Sequence, residues 1–118
     1  MSLYVALIHG DEAVWDRWGE AEGTANASAH ARFNQTSGQH VVGGHELQRS
    51  REGRVVRLGA DGTQEVVAAP FVSVGGYVLG GFYVLEASDL AEAVELARQL
   101  PEASAAASAV EVRPVATP

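Results

Sequence analysis

A chain of 118 residues can bury one hydrophobic core, and the absence of cysteine excludes disulfides and thiolate metal centres. The formal net charge is −7 and all eight basic residues are arginine, so the chain lacks the basic surface that phosphate backbones require and nucleic acid is not an expected partner. No run reaches the ~18 apolar residues of a membrane-spanning helix, so no membrane association is expected, and a reducing cytoplasm is the simplest setting.

The first element runs from Leu3 to Ile8. It reads as a strand rather than a signal peptide, because no basic segment precedes it and the apolar run stops at His9-Gly10-Asp11-Glu12. Leu3, Val5 and Leu7 alternate with Tyr4, Ala6 and Ile8, so both faces are apolar. Asp11 and Glu12 then supply an N-cap and a favourable first-turn charge, and Val14, Trp15 and Trp18 fall on one face of a short helix. Gly19 and Gly23 each cost up to about 1 kcal/mol relative to alanine inside a helix, which predicts a break or kink. A second helical piece is expected from about Thr24 to Thr36. Its apolar stripe would be Ala25, Ala29 and Phe33, with Gly38 as a left-handed cap.

His40 to Leu47 reads as a strand whose Gly43-Gly44 pair marks a bulge or a close backbone approach. Arg54 to Leu58 and Gln64 to Val67 form a hairpin turning at Asp61-Gly62. Four arginines between Arg49 and Arg57 belong to alternating charges on this exposed segment more naturally than to an anion site. A loop from Ala68 to Gly75 leads into the longest apolar run, Gly76 to Glu86. Strict alternation would set Val78, Phe82 and Val84 on one side of that strand and Leu79, Tyr83 and Leu85 on the other. Ser88 is an N-cap candidate, followed by a helix with Leu90, Val94, Ala97 and Leu100 as its stripe and Pro101 as its stop. A small-residue linker, Ala103 to Ser108, precedes a last strand from Val110 to Val115, placed at a sheet edge by Pro114.

With the hairpin set aside, this order is βαββαβ. The predicted class is therefore α+β, a ferredoxin-like single domain over residues 1–118 with an inserted β-hairpin. The Leu3 strand and the Gly76–Glu86 strand form the central pair, and right-handed crossovers place both helices on one face. The bare face would be covered in part by the hairpin and otherwise by the same face of a second copy, giving a homodimer of the dimeric α/β barrel kind.

A series of short motifs spans nearly the whole chain: Tyr4-Val5-Ala6-Leu7-Ile8-His9-Gly10-Asp11-Glu12, Phe33-Asn34, Gly44-His45-Glu46-Leu47-Gln48, Pro70-Phe71, Leu79-Gly80-Gly81-Phe82-Tyr83-Val84-Leu85-Glu86, Asp89-Leu90-Ala91-Glu92-Ala93 and Val110-Glu111-Val112-Arg113-Pro114-Val115. In this order they resemble the YCII-related proteins of the DGPF type. The resemblance implies a bacterial, dimeric, ferredoxin-like α+β domain. For activity it implies only that some relatives are small enzymes using a histidine and an acidic residue. The chain departs from the pattern where Asp-Gly should precede Pro70-Phe71, since Ala68-Ala69 stand there, and the charged segment expected next is replaced by Val72-Ser73-Val74-Gly75-Gly76.

Without cysteine or lysine, acid/base chemistry falls to the four histidines and the carboxylates. The topology brings the ends of the His9 and His45 strands and the start of the Tyr77 strand to one sheet edge. His45 and His9 are therefore candidate catalytic residues there, with Asp11, Trp18, Pro70, Phe71 and Tyr77 as candidate substrate-binding residues. His30, about one turn before Phe33, is a third catalytic candidate, because the resemblance implies a histidine on this helix paired with an acid. His40 is expected to be structural. No cofactor and no metal set is expected. Two readings follow: a small-molecule-binding domain with histidine-based acid/base chemistry, or a non-catalytic dimer acting through protein contacts.

Overall fold

The structure, a computed structural model, describes residues 1–117. Its strands are β1 (Ser2–Asp11), β2 (Val41–Glu46), β3 (Arg54–Leu58), β4 (Gln64–Ala68), β5 (Tyr77–Ala87) and β6 (Ser108–Pro114). Its helices are α1 (Glu12–Asp16), α2 (Glu20–Ser37) and α3 (Leu90–Ala97), joined by single turns of 3₁₀-helix at Gly38–His40, Ser50–Glu52 and Pro101–Ala103. The main sheet has the order β2-β5-β1-β6 with every neighbour antiparallel. β1 and β5 are thus the central pair and β6 an edge strand, as the apolar patterning and Pro114 require. The chain is an α+β domain with an antiparallel sheet, compatible with a ferredoxin-like fold. No helix is long and apolar enough to cross a membrane among the described residues.

Both long helices cover one face of the sheet. Phe33 from α2 and Ala93 and Leu96 from α3 join Tyr4, Ala6, Ile8, Leu85, Ala87 and Leu100 in one buried cluster, with Val110 and Val112 of β6 packed against it. The α3 stripe differs from the predicted one. Ala93, Leu96, Ala97 and Leu100 face the core, whereas Leu90 and Val94 are exposed. The N-cap is Asp89 rather than Ser88; its Oδ1 accepts from the Glu92 N–H at 2.9 Å. Asp11 caps α1 as expected, accepting from Ala13 N–H. The break foreseen near Gly19 separates α1 from α2, but α2 starts at Glu20 and runs through Gly23. Gly38 is right-handed helical, φ −60°, because the chain continues into a 3₁₀ turn instead of stopping on a left-handed cap.

A bulge changes the predicted facing of β5. Cross-strand partners share a face, and the pairing of β1 with β5 slips between Ile8, opposite Gly81, and His9, opposite Leu79, leaving Gly80 as the extra residue. Side chains before Gly80 therefore change faces relative to those after it. Val78 lies with Tyr83 and Leu85 on the helix face, and Leu79 with Phe82 and Val84 on the open face. Trp15 explains why glycine stands at the bulge, since a Cβ at Gly80 would lie 2.5 Å from its indole ring.

The hairpin, β3 with β4, forms a separate two-stranded sheet. Its row of Val56, Leu58 and Val66 is more than 60% exposed. The radius of gyration is 16.0 Å, against about 13.5 Å for a compact chain of this length. The open face of the main sheet carries Leu3, Val5, Leu7, Leu79, Phe82 and Val84, bordered by His9, Glu111 and Arg113.

Candidate functional site

The 18-residue helix α2 is barely amphipathic. Its inward residues explain why: Asn26, His30, Phe33 and Ser37 are buried or half-buried at helical spacing, while Ala25 of the expected apolar stripe is exposed. Three of those four residues are polar, so the helix presents chemistry to the sheet. Ser37 Oγ donates to Gln99 Oε1 at 2.8 Å and ties the helix end to α3.

His30 is held on both ring nitrogens. Nε2 lies 2.8 Å from Oε2 of Glu102 and Nδ1 lies 2.8 Å from the Tyr83 hydroxyl. Asn26 Nδ2 donates to the same Glu102 oxygen at 2.9 Å. Asn34 Nδ2 donates to the His30 carbonyl at 2.9 Å and is 3.5 Å from the Tyr83 hydroxyl. The Tyr83 ring stacks on His30, with centroids 5.8 Å apart and planes 20° apart, and tilts against Phe33 at 5.1 Å. The cluster therefore joins α2, β5 and the Pro101–Ala103 turn, three elements distant in sequence.

Its electrostatics follow from burial. Glu102 is only 6% exposed. Burial pushes its carboxyl up, but hydrogen bonds from His30 and Asn26, together with the attraction of His30, outweigh that and hold it below the usual glutamate range. Desolvation raises the Tyr83 phenol above its ordinary value; the Asn34 contact opposes this and the Glu102 charge adds to it. The carboxylate is thus an ionised acceptor and the phenol keeps its proton. Oε1 of Glu102 is buried without a hydrogen-bond partner among the described residues, an arrangement that costs about 1–3 kcal/mol.

The cluster lines a cavity of about 680 Å³. Ile8, Trp15 and Trp18 contribute apolar walls, and His30, Glu102, Tyr83, Asn26 and Asn34 a polar patch. Arg49 also lines it, but its guanidinium is paired with Asp16 at 2.8 Å and lies 5.3 Å over the Trp15 ring. That pairing holds the Asp16 carboxyl below its ordinary value. Glu12 fixes the segment by accepting from Ser50 N–H at 2.7 Å and from its hydroxyl.

The residues singled out from sequence are divided between two faces of the sheet. His30 and Trp18 line the helix-side cavity, whereas His45 borders it from β2 and, opposite Phe82, turns its side chain to the open face. His9, Pro70, Phe71 and Tyr77 line a second, open hollow of about 830 Å³ on the other side. His9, His45 and Tyr77 thus lie on the same open face of the sheet; His9 and Tyr77 line the hollow there, and His45 lies on the edge strand β2 beside Phe82. Asp11 lines neither hollow and serves as the α1 cap. His9 pairs with Glu111 at 3.0 Å across β1 and β6, and His45 is exposed, edge-on to Phe82. His40 donates to or accepts from no other side chain among the described residues; its Nδ1 lies 2.8 Å from the Glu86 carbonyl, a structural role.

Sequence reasoning missed Glu102, Tyr83, Asn26 and Asn34. For the two asparagines a signal existed, since polar groups at positions 26, 30 and 34 recur every four residues on one helix. Glu102 had only a weak one, as a lone acid before the small residues Ala103 to Ala107.

A search of the curated proteins found no match to this chain. The family model of the YCII-related domain matches residues 2–117, nearly the whole length. The chain belongs to the YCII-related domain family.

Proposed function

We propose that this protein binds a small, largely apolar molecule in the helix-side cavity and handles a proton there through the Glu102–His30–Tyr83 cluster. The carrying observation is the histidine clamped between a buried carboxylate and a phenol in the wall of a cavity large enough for a small metabolite. An ionised acid behind an imidazole fixes its tautomer and stabilises the imidazolium, which suits general acid/base work such as isomerisation or elimination. A fragment screen read by histidine and tryptophan NMR tests this. Binders that perturb His30 and Trp15 or Trp18 together are expected, and a library that perturbs neither overturns the reading.

A second reading, a non-catalytic homodimeric interaction module, is favoured by a different observation. The open face and the hairpin row leave Leu3, Leu79, Val56, Leu58 and Val66 substantially exposed, and the chain is more extended than its length requires. We place a second copy over the open face, a pairing that either reading accommodates. Cytoplasmic residence belongs to the same proposal.

A further inference from the structure

The hydrogen-bond polarity of the cluster determines which atom meets the ligand. An ionised carboxylate can only accept, so His30 Nε2 carries a proton and donates to Glu102. With His30 neutral, Nδ1 must then accept, and the Tyr83 hydroxyl donates to it at 2.8 Å. Neither nitrogen keeps a free lone pair or N–H for a ligand. The Tyr83 oxygen has two lone pairs and its only other hydrogen bond among the described residues is from Asn34 Nδ2 at 3.5 Å, which leaves one acceptor position.

We propose that Tyr83 is the residue that touches the ligand, and that the ligand presents a weakly acidic hydroxyl, an enol or a phenol, whose proton is passed through Tyr83 to His30. This rests on the cavity being a ligand site. The step balances: the ligand O–H gives its proton to the Tyr83 oxygen as the Tyr83 proton passes to His30 Nδ1. The products are an enolate or phenolate accepting from Tyr83 O–H, and an imidazolium donating from both nitrogens. Tyr83 ends as it began, a neutral phenol, so its desolvated setting is no obstacle. His30 acts through Tyr83 and is a positioning residue and proton store.

Charge selects the same ligand class. With Glu102 ionised and His30 neutral the cluster carries −1, which repels an anion; protonating His30 makes it neutral. A preformed anion therefore enters only with a proton, whereas a neutral weak acid brings its own. Glu46 of β2 also lines the cavity, and Arg49, the only guanidinium lining it among the described residues, is paired with Asp16. The remaining walls, Trp15, Trp18 and Ile8, suit a flat apolar body.

The probes are 4-nitrophenol, whose anion is coloured, and nitrobenzene, which has the same ring without the hydroxyl. In buffer acidic enough that free nitrophenol is colourless, the protein should develop the phenolate absorbance on binding. Tyr83→Phe should bind nitrophenol about tenfold more weakly without the colour. His30→Gln, which keeps Tyr83, should also lose the colour and serves as the second variant should the first misfold. Equal colour with Tyr83→Phe would overturn the assignment, because the phenol would then meet His30 directly. Quenching of tryptophan fluorescence by both probes without colour in the wild type would overturn this inference and leave the cavity reading standing. Quenching by neither would overturn both.

Discussion

Glu102→Ala isolates the clamp on His30. The substitution removes the acceptor of two hydrogen bonds, from His30 Nε2 at 2.8 Å and Asn26 Nδ2 at 2.9 Å, each worth about 1.5–3 kcal/mol when the acceptor is charged. Part of this loss is offset by relief of a buried carboxylate whose Oε1 has no partner, leaving a net cost of about 3 kcal/mol. For a domain of this size that lowers Tm by about 12 °C. The pH dependence gives the decisive sign. The folded-state pKa of Glu102 is depressed, so its stabilisation is present above the unfolded value near 4.5 and is lost as the pH falls below it through the folded value. Urea unfolding followed by the fluorescence of Trp15 and Trp18 should thus show a wide gap between wild type and variant at pH 7, narrowing steadily below about pH 4.5. A gap of equal size at pH 7 and pH 3 would refute the reasoning, since the carboxylate charge would then contribute nothing to the clamp.

Three further outcomes test other parts of the structure. Phe82→Asp, on the open face between Leu7 and His45, should halve the mass seen by sedimentation at micromolar concentration, and a wild type that sediments as a concentration-independent monomer would end the homodimer proposal. Gly44→Ala should destabilise by about 2 kcal/mol or more in chemical unfolding, because its Cβ would lie 2.5 Å from the backbone oxygen of Phe82 with φ at 156°. A loss under half that would show that β2 shifts to accommodate it. His9→Gln should change stability by less than about 1 kcal/mol, because the His9–Glu111 pair has side chains 30% and 51% exposed. A larger loss in the same assay would mean that a partner desolvates the pair.

Much of the architecture was legible in residues. The double-sided apolarity of β1 and β5 predicts their central place, Pro114 predicts the edge position of β6, and Asp11 predicts the start of α1. The Gly43-Gly44 pair predicts the irregular register of β2, which shifts between Val41 and Gly43. These features depend on local backbone chemistry or on burial of a whole face, and both leave periodic marks in a sequence. The histidine on α2, paired with an acid, was also legible as a consequence of family resemblance, though not the identity of the acid.

What only the tertiary structure decided has a common physical reason: it depends on partners that meet across the chain. Whether Val78 and Leu79 face the helices or the open side is set by one unpaired residue at Gly80, and a bulge is defined by the strand opposite. The inward face of α2 is polar, so no hydrophobic period announces it, and Ala25 was the natural but incorrect choice. Glu102 becomes a buried acid only because the turn after α3 returns over α2 and brings it to His30 and Asn26. The sheet itself separates His30 and Trp18 from His9, Pro70, Phe71 and Tyr77, and so divides the predicted site residues between two hollows. The sequence by itself thus determined the elements and their order, while side-chain facing and the meeting of Glu102, His30 and Tyr83 were decided by the packing of helix on sheet.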